Sequence, residues 1–401
     1  MSPLAIWMAL GALVVPQATD VMAVKASTLH TAAGDAITNG VVLIEAGKIK
    51  AVGPQTEVEV PAGARVVEAV VVTPGLVDAR SVVGLAGQLN SAHDQDQLEK
   101  SAPIQPELRA IDAFNAREPL VAWVRSFGVT TVHTGHGPGA VISGQTLIAK
   151  TAYGSVDEAV IVPFAMVAAT LGEGAVGGDG KGPGTRAKAV SILRQQLVKA
   201  AEYDAKRENA EPPARDLRLE ALAAVLRREQ PLLIAAQRSH DILVALRLAK
   251  EFNLRMVLDG GAEAYLVKQQ LLDAGVPVLV HAPMRRASGE AQNLSMETPH
   301  LLQEAGLSVA LQSGFEGYVP KTRVVLFEAA IAMRYGCTFA DALRLVTIDA
   351  AKILGVDDRI GSIEAGKDAD LALYDGDPFE YTTHCVGVIV DGEVLPGESR
   401  R

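Results

Sequence analysis

The side chains best equipped for chemistry here are three histidines and three carboxylates that end or follow short apolar runs. His133 and His136 lie in VHTGHG, His281 ends VLVH, and Asp259, Glu263 and Glu316 occupy comparable places. Imidazole and carboxylate groups ligate divalent metals such as zinc, and they are the usual proton carriers in general acid–base catalysis. A His-x-x-His spacing does not put both rings on one face of a strand, because strand side chains alternate. The two rings therefore either converge through a turn at Gly135 or serve a loop by hydrogen bonding and exposure, and the spacing favours the second. Asp259 and His281 are the catalytic candidates, Asp259 as a general base without an evident acid partner and His281 either in a pocket role or satisfied by a carbonyl. Glu263 reads as a hydrogen-bond acceptor orienting a loop, and Gln237 at the end of PLLIAAQ adds a candidate ligand-binding amide.

These groups need elements to position them. Residues 21–72 are short alternating runs broken by glycine, such as GVVLIEAGKIKAVG, which predict strands and tight turns. The runs GKDADLALYDGDP and CVGVIVDGEVL repeat that texture near the other end, so both termini are expected to share one small β-sandwich domain. Between them, apolar runs such as PLLIAAQ, LRMVLDGG, GVPVLVHAP and LSVALQSG alternate with helical patterns such as RAKAVSILRQQLVKAAEYDAKR. That alternation predicts parallel βα units, of which a TIM-type barrel holds about eight, with its active site at the C-terminal strand ends. The fold class is α/β: a (β/α)8 barrel over 74–356 and a composite β-sandwich from 21–73 and 357–401. The glycine-rich segment 171–186 lacks the register of a phosphate loop and reads as a flap over the barrel mouth or an ordinary surface loop. Segment 206–216, with its Pro-Pro pair, reads as an exposed connection between helices.

Composition narrows the partners. The chain has 401 residues, 49% hydrophobic, and a formal net charge of −10 without a basic block. Nucleic acid and anionic membrane surfaces both demand clustered positive charge, so a small molecule is the expected ligand. Cys337 and Cys385 are too few for a disulfide framework and lack zinc-site spacing. Residues 5–15 are apolar but too short to span a bilayer, and PQA follows like a small-residue cleavage site. Residues 1–20 thus suggest a signal segment and a periplasmic or secreted protein, while the missing positive residues before the run favour the cytoplasm.

The run TIDAAKILGVDDRIGSIEAGKDADLALYDGDP at 347–378 resembles the amidohydrolase superfamily, in particular its imidazolonepropionase-like branch. GVVLIEAGKIKAVG followed by TPGLVDA, then PGTR and EAY in order, extends the resemblance over most of the chain. It implies a hydrolase of non-peptide C–N bonds using one or two divalent metals, which lower the pKa of bound water from about 15.7 to roughly 7. The positions it assigns to the metal ligands are Arg80, Val82, Ala235, Gly260 and Gly314, and none of these side chains can ligate a metal. Arginine has no lone pair to offer and stays charged above about pH 12.

The resemblance therefore implies a degenerate metal site, with no cofactor expected there and a relocated zinc built from His133, His136 and His281 together with Asp259, Glu263 and Glu316 as the alternative. Arg80 would stand where the metal charge stood, ready either to bind an anionic ligand or to pair with Asp259 or Glu263. Arg238, Arg285 and Lys321 add positive charge more typical of surface, and Tyr318, Lys321 and Arg323 either contact an anion or cap a helix. Two functions follow: an altered or inactive C–N hydrolase, or a non-catalytic ligand-binding barrel. The second could act as a homo-oligomer or as the partner subunit of a catalytic paralogue.

Overall fold

The first and last described strands belong to one sheet. The computed structural model describes residues 21–89, 91–176, 182–315 and 322–397. The segment 1–20 and the candidates Glu316, Tyr318 and Lys321 lie outside them. Seven strands, in the order Glu393–Pro396, Cys385–Val390, Leu371–Tyr374, Arg65–Pro74, Val21–Leu29, Ile37–Glu45 and Lys48–Pro54, form the terminal domain. Alternation sorts its side chains: Met22, Val24, Val42 and Ile44 pack on one face, and Val21, Ala23, Val41 and Leu43 on the other. The expected sandwich is thus a single hydrogen-bonded sheet with an apolar cluster on each side. Two of its hairpins turn on two residues in the left-handed region that matches strand twist, Ala46 (φ 51°) with Gly47 (φ 76°) and Asp391 (φ 48°) with Gly392 (φ 80°).

The barrel wall comes from a four-stranded and a six-stranded sheet. Leu76–Ser81 pairs in parallel with Val129–Thr134. Val167–Thr170, Leu232–Ala236, Met256–Gly260, Val278–Val280 and Val309–Leu311 follow as a continuous parallel set. Between the two sets the third position departs from the expected parallel pattern. Ile142–Gln145 and Leu147–Lys150, separated only by Thr146, run antiparallel to both neighbours. The connection from Val129–Thr134 holds no helix among its described residues, so the chain returns directly, as an antiparallel neighbour can. The last strand meets the first through the Ser81–Gly314 bridge and the Gly314 amide, which donates to the Arg80 carbonyl at 3.0 Å.

Helices cover this wall. Arg186–Arg207 buries Ala189, Leu193, Leu197 and Ala200, three and four residues apart, and Thr185 caps it by accepting from the Lys188 amide. The following segment is an exposed link to Leu217–Leu226, as its composition predicts. Among the described residues, no helix is long and apolar enough to cross a membrane.

One charged cluster fastens barrel to terminal sheet. Lys150, buried at the end of the antiparallel third position, contacts Asp368 at 2.8 Å and Asp370 at 3.2 Å, and also pairs with Asp391. Lys48 and Arg359 add ion pairs to Asp368. A buried ammonium among carboxylates is tolerable because each charge has a partner.

Candidate functional site

Strand alternation builds the site in layers. Ala168, Leu233, Val257, Leu279 and Ala310 point inward and pack with Val77 and Ala79 as one apolar layer inside the barrel. Two residues further along each strand, the next inward positions are Thr170, Ala235, Asp259, His281 and Gln312, at the C-terminal ends where barrel chemistry is found. Asp259, His281 and Gln312 line a narrow floor cavity of about 30 Å³.

All five positions that the resemblance assigns to metal ligands line that same cavity: Arg80, Val82, Ala235, Gly260 and Gly314. A register shift between Asp78 and Ser81 turns the end of the first strand so that Arg80 enters it. The guanidinium is buried and its donors are engaged inside the protein. Nε reaches Asp259 Oδ2 at 3.4 Å, Nη1 donates to the Ser81 carbonyl at 2.9 Å, and Nη2 donates to the His136 carbonyl. Of the two roles open to Arg80, the structure contains the internal ion pair, and its partner is Asp259 rather than Glu263. Asp259 in turn accepts from Gln312 Nε2 at 2.8 Å, so the candidate general base is held in a network.

Asp78, four residues after Pro74 in the first-strand motif, joins the two ends of the barrel wall. It accepts from the Ser313 amide at 3.0 Å, from the Ser313 hydroxyl, and from the Arg80 amide at 3.3 Å. Burial nevertheless pushes its carboxyl up to about 6.

The histidines do not assemble. His133 donates from Nδ1 to the Ala79 carbonyl at 2.7 Å, and its Nε2 accepts from the Thr146 hydroxyl at 2.7 Å, so both ring nitrogens are used. Burial first, and then the Arg80 charge, push it down to about 3. His136 is buried rather than exposed, and its ring packs on Gly144 with neither nitrogen bonded. Among the described residues, no group of three His, Cys, Asp or Glu side chains is placed to hold a metal. Glu263 lies outside the cavity lining and accepts from the Ser239 amide at 2.7 Å and Asn293 Nδ2 at 2.7 Å. Its carboxylate thus ties the Ser239 and Asn293 segments together, as expected of a loop-orienting acceptor. Arg238 stands 3.9 Å from Glu263, and Arg323 stands 3.9 Å from Glu328.

Above the floor opens a cleft of about 520 Å³ that shares Pro138, Ala235, Gln237, Arg285 and Phe315 with it. Leu171, Glu173 and Gly174, from the glycine-rich segment expected to flank the mouth, form part of its wall. The Gln237 carbonyl oxygen accepts from the Ala262 amide at 3.2 Å. Another hollow of about 600 Å³ lies by Pro231, Pro277 and Ser308 at the opposite strand ends, the face of such barrels that serves stability. Sequence reasoning missed Asp78, Gln312 and Ser313. Gln312 was detectable as the inward step after Ala310, but the contacts of Asp78 with Ser313 carry no local signal.

Comparison with known proteins agrees with this architecture. Residues 248–397 match the model of the Amidohydrolase family. An amidohydrolase structure from Thermotoga maritima MSB8 superimposes with a TM-score of 0.87 at 31% identity, covering 94% of this chain and 100% of the other. Amidohydrolase tasK of Hapsidospora irregularis is 26% identical over 388 residues, 88% of this chain but 39% of its own length. Imidazolonepropionase of Sphingopyxis alaskensis is 45% identical over 65 residues, 16% of each chain. The chain thus spans well under two thirds of the curated relatives it matches.

Proposed function

This chain belongs to the amidohydrolase family, and we propose that its barrel mouth binds a small molecule while metal-dependent C–N bond hydrolysis is altered or lost. The observation that carries this reading is the Arg80 guanidinium in the cavity bounded by Val82, Ala235, Gly260 and Gly314. A divalent cation there would meet no side-chain lone pair from the five positions and one fixed positive charge. The donor set does not fit a metal. Gly260 at φ 91° and Gly314 at φ 70° also hold a left-handed backbone that most side chains avoid. The cleft above, at about 520 Å³, lies in the range of roughly 300–1,000 Å³ typical of small-molecule sites.

The test is elemental analysis of the purified protein together with hydrolysis assays on amides, lactams and ring amidines, with and without added zinc or manganese. The expected result is a folded protein without stoichiometric metal and without metal-stimulated turnover. Stoichiometric zinc, iron or manganese, with hydrolysis abolished by a chelator, would overturn the reading.

A further inference from the structure

We propose that the hollow at the N-terminal ends of the barrel strands is a second binding site, for a small organic phosphate held by Arg228, Arg255 and Lys352. The site lies at the opposite end of the barrel from the cleft, so it does not depend on what the mouth binds.

The hollow, of about 600 Å³, is walled by the residues that open four consecutive strands and by the helix Ile348–Leu354. That volume is typical of small-molecule sites. Arg228, Arg255 and Lys352 line it against a single carboxylate, Asp349, in a chain whose formal net charge is −10. Acids close by in sequence are already taken. Glu229 pairs through both oxygens with Arg227, at 2.8 and 3.0 Å. Glu251 pairs with Arg194 at 2.8 Å, and Asp349 with Arg344 at 2.6 Å. None of the three lining cations makes an ion pair among the described residues.

Backbone contacts orient the two guanidiniums. Arg228 Nη1 donates to the Asn253 carbonyl at 2.7 Å and to Asn253 Oδ1 at 3.2 Å, and Arg255 Nη1 donates to the Arg228 carbonyl at 3.2 Å. Each side chain thus anchors one nitrogen and keeps Nε and Nη2 for the oxygens of a ligand, a fork that suits phosphate. Arg228 also holds a left-handed backbone at φ 63°, which glycine or asparagine adopts at less cost. Its value at that position therefore lies in the side chain.

The rest of the lining selects the ligand. Leu254, Met256 and Val257 are buried and apolar, whereas the three cations are exposed. An apolar wall with a cationic rim suits a phosphate ester whose body is apolar. Three cations against one carboxylate that is already paired favour a dianion over a monoanion, because attraction scales with the product of charges.

The experiment is an NMR titration of the full chain with phenyl phosphate, inorganic phosphate and benzoate. It is repeated with Arg255→Met/Lys352→Met, with Arg228→Asn and with Arg285→Met at the barrel mouth. Phenyl phosphate is expected to bind and to shift the amides of residues 254–257. The double variant should bind it about tenfold more weakly or worse, and Arg228→Asn several-fold more weakly. Arg285→Met should bind it as the parent does. Inorganic phosphate lacks the apolar body and benzoate carries one charge, so each should bind several-fold more weakly than phenyl phosphate. Asparagine tolerates the left-handed backbone at position 228, so an undiminished melting temperature verifies that this variant is folded. Parent-like binding by the double variant or by Arg228→Asn, or binding lost in Arg285→Met, would overturn the proposal. So would benzoate or inorganic phosphate binding as tightly as phenyl phosphate, or no binding at all. If the double variant does not fold, Arg228→Asn and the shifted amides of the parent decide, since shifts away from the strand starts would equally overturn it.

Discussion

Arg80 and Asp259, 179 residues apart in sequence, meet at 3.4 Å inside the barrel, joining the end of the first strand to the sixth. Both side chains are largely buried, so neither charge is left to water. Replacing Arg80 with methionine strands the Asp259 carboxylate and two carbonyls, and should cost about 3–5 kcal/mol in urea unfolding at pH 7. Adding Asp259→Asn should return part of that loss, with a coupling of about 0.5–3 kcal/mol. Strictly additive effects would show that the pair does not act as a unit.

Gly260→Ala is expected to destabilise by about 1–2 kcal/mol, more than an ordinary surface change. The backbone there has φ 91°, and an added Cβ would collide with the Gln237 side-chain amide. Thermal unfolding measures the loss. An unchanged melting temperature would mean that this strand end relaxes freely, and would weaken the argument that a ligating side chain no longer fits.

Asp78 predicts a pH dependence. Its folded-state carboxyl is raised by burial to about 6, above its ordinary 3.8, so the folded chain binds its proton more tightly than the unfolded chain does. The stability tied to that proton is complete below about pH 4 and is lost as the pH rises through 6, amounting to roughly 3 kcal/mol. Asp78→Asn should flatten this part of the profile in denaturation curves taken between pH 4 and 7. A variant whose slope matches the parent would place the titration elsewhere.

Lys150→Met should leave Asp368, Asp370 and Asp391 facing one another without their shared cation. A loss of about 3–5 kcal/mol is expected. Hydrogen exchange should rise most in the strands Leu371–Tyr374 and Cys385–Val390, which lie on the terminal-sheet side of the junction. Uniform acceleration across barrel and sheet would show that the cluster does not specifically hold the two together.

The sequence by itself determined the elements and the identity of the strand-end residues. Alternation in LSVALQ or LRMVLD is a local property, and so is the three-and-four spacing of Ala189, Leu193 and Leu197. The arginine in the first-strand motif was legible for the same reason, and so was the absence of ligating side chains at the other four assigned positions. What only the tertiary structure decided were the partners. Arg80 had two candidate acids, and barrel geometry selected Asp259. His133 was used up by Ala79 and Thr146. Arg285, which composition placed among ordinary surface cations, came to stand between floor and cleft with no ion pair or hydrogen bond among the described residues. The antiparallel third position and the contact of Asp78 with Ser313, 235 residues away, belong to the same class. Periodicity records which way each side chain faces along its own strand, whereas a contact depends on how strands distant in sequence are aligned, and that alignment exists only once the barrel has assembled.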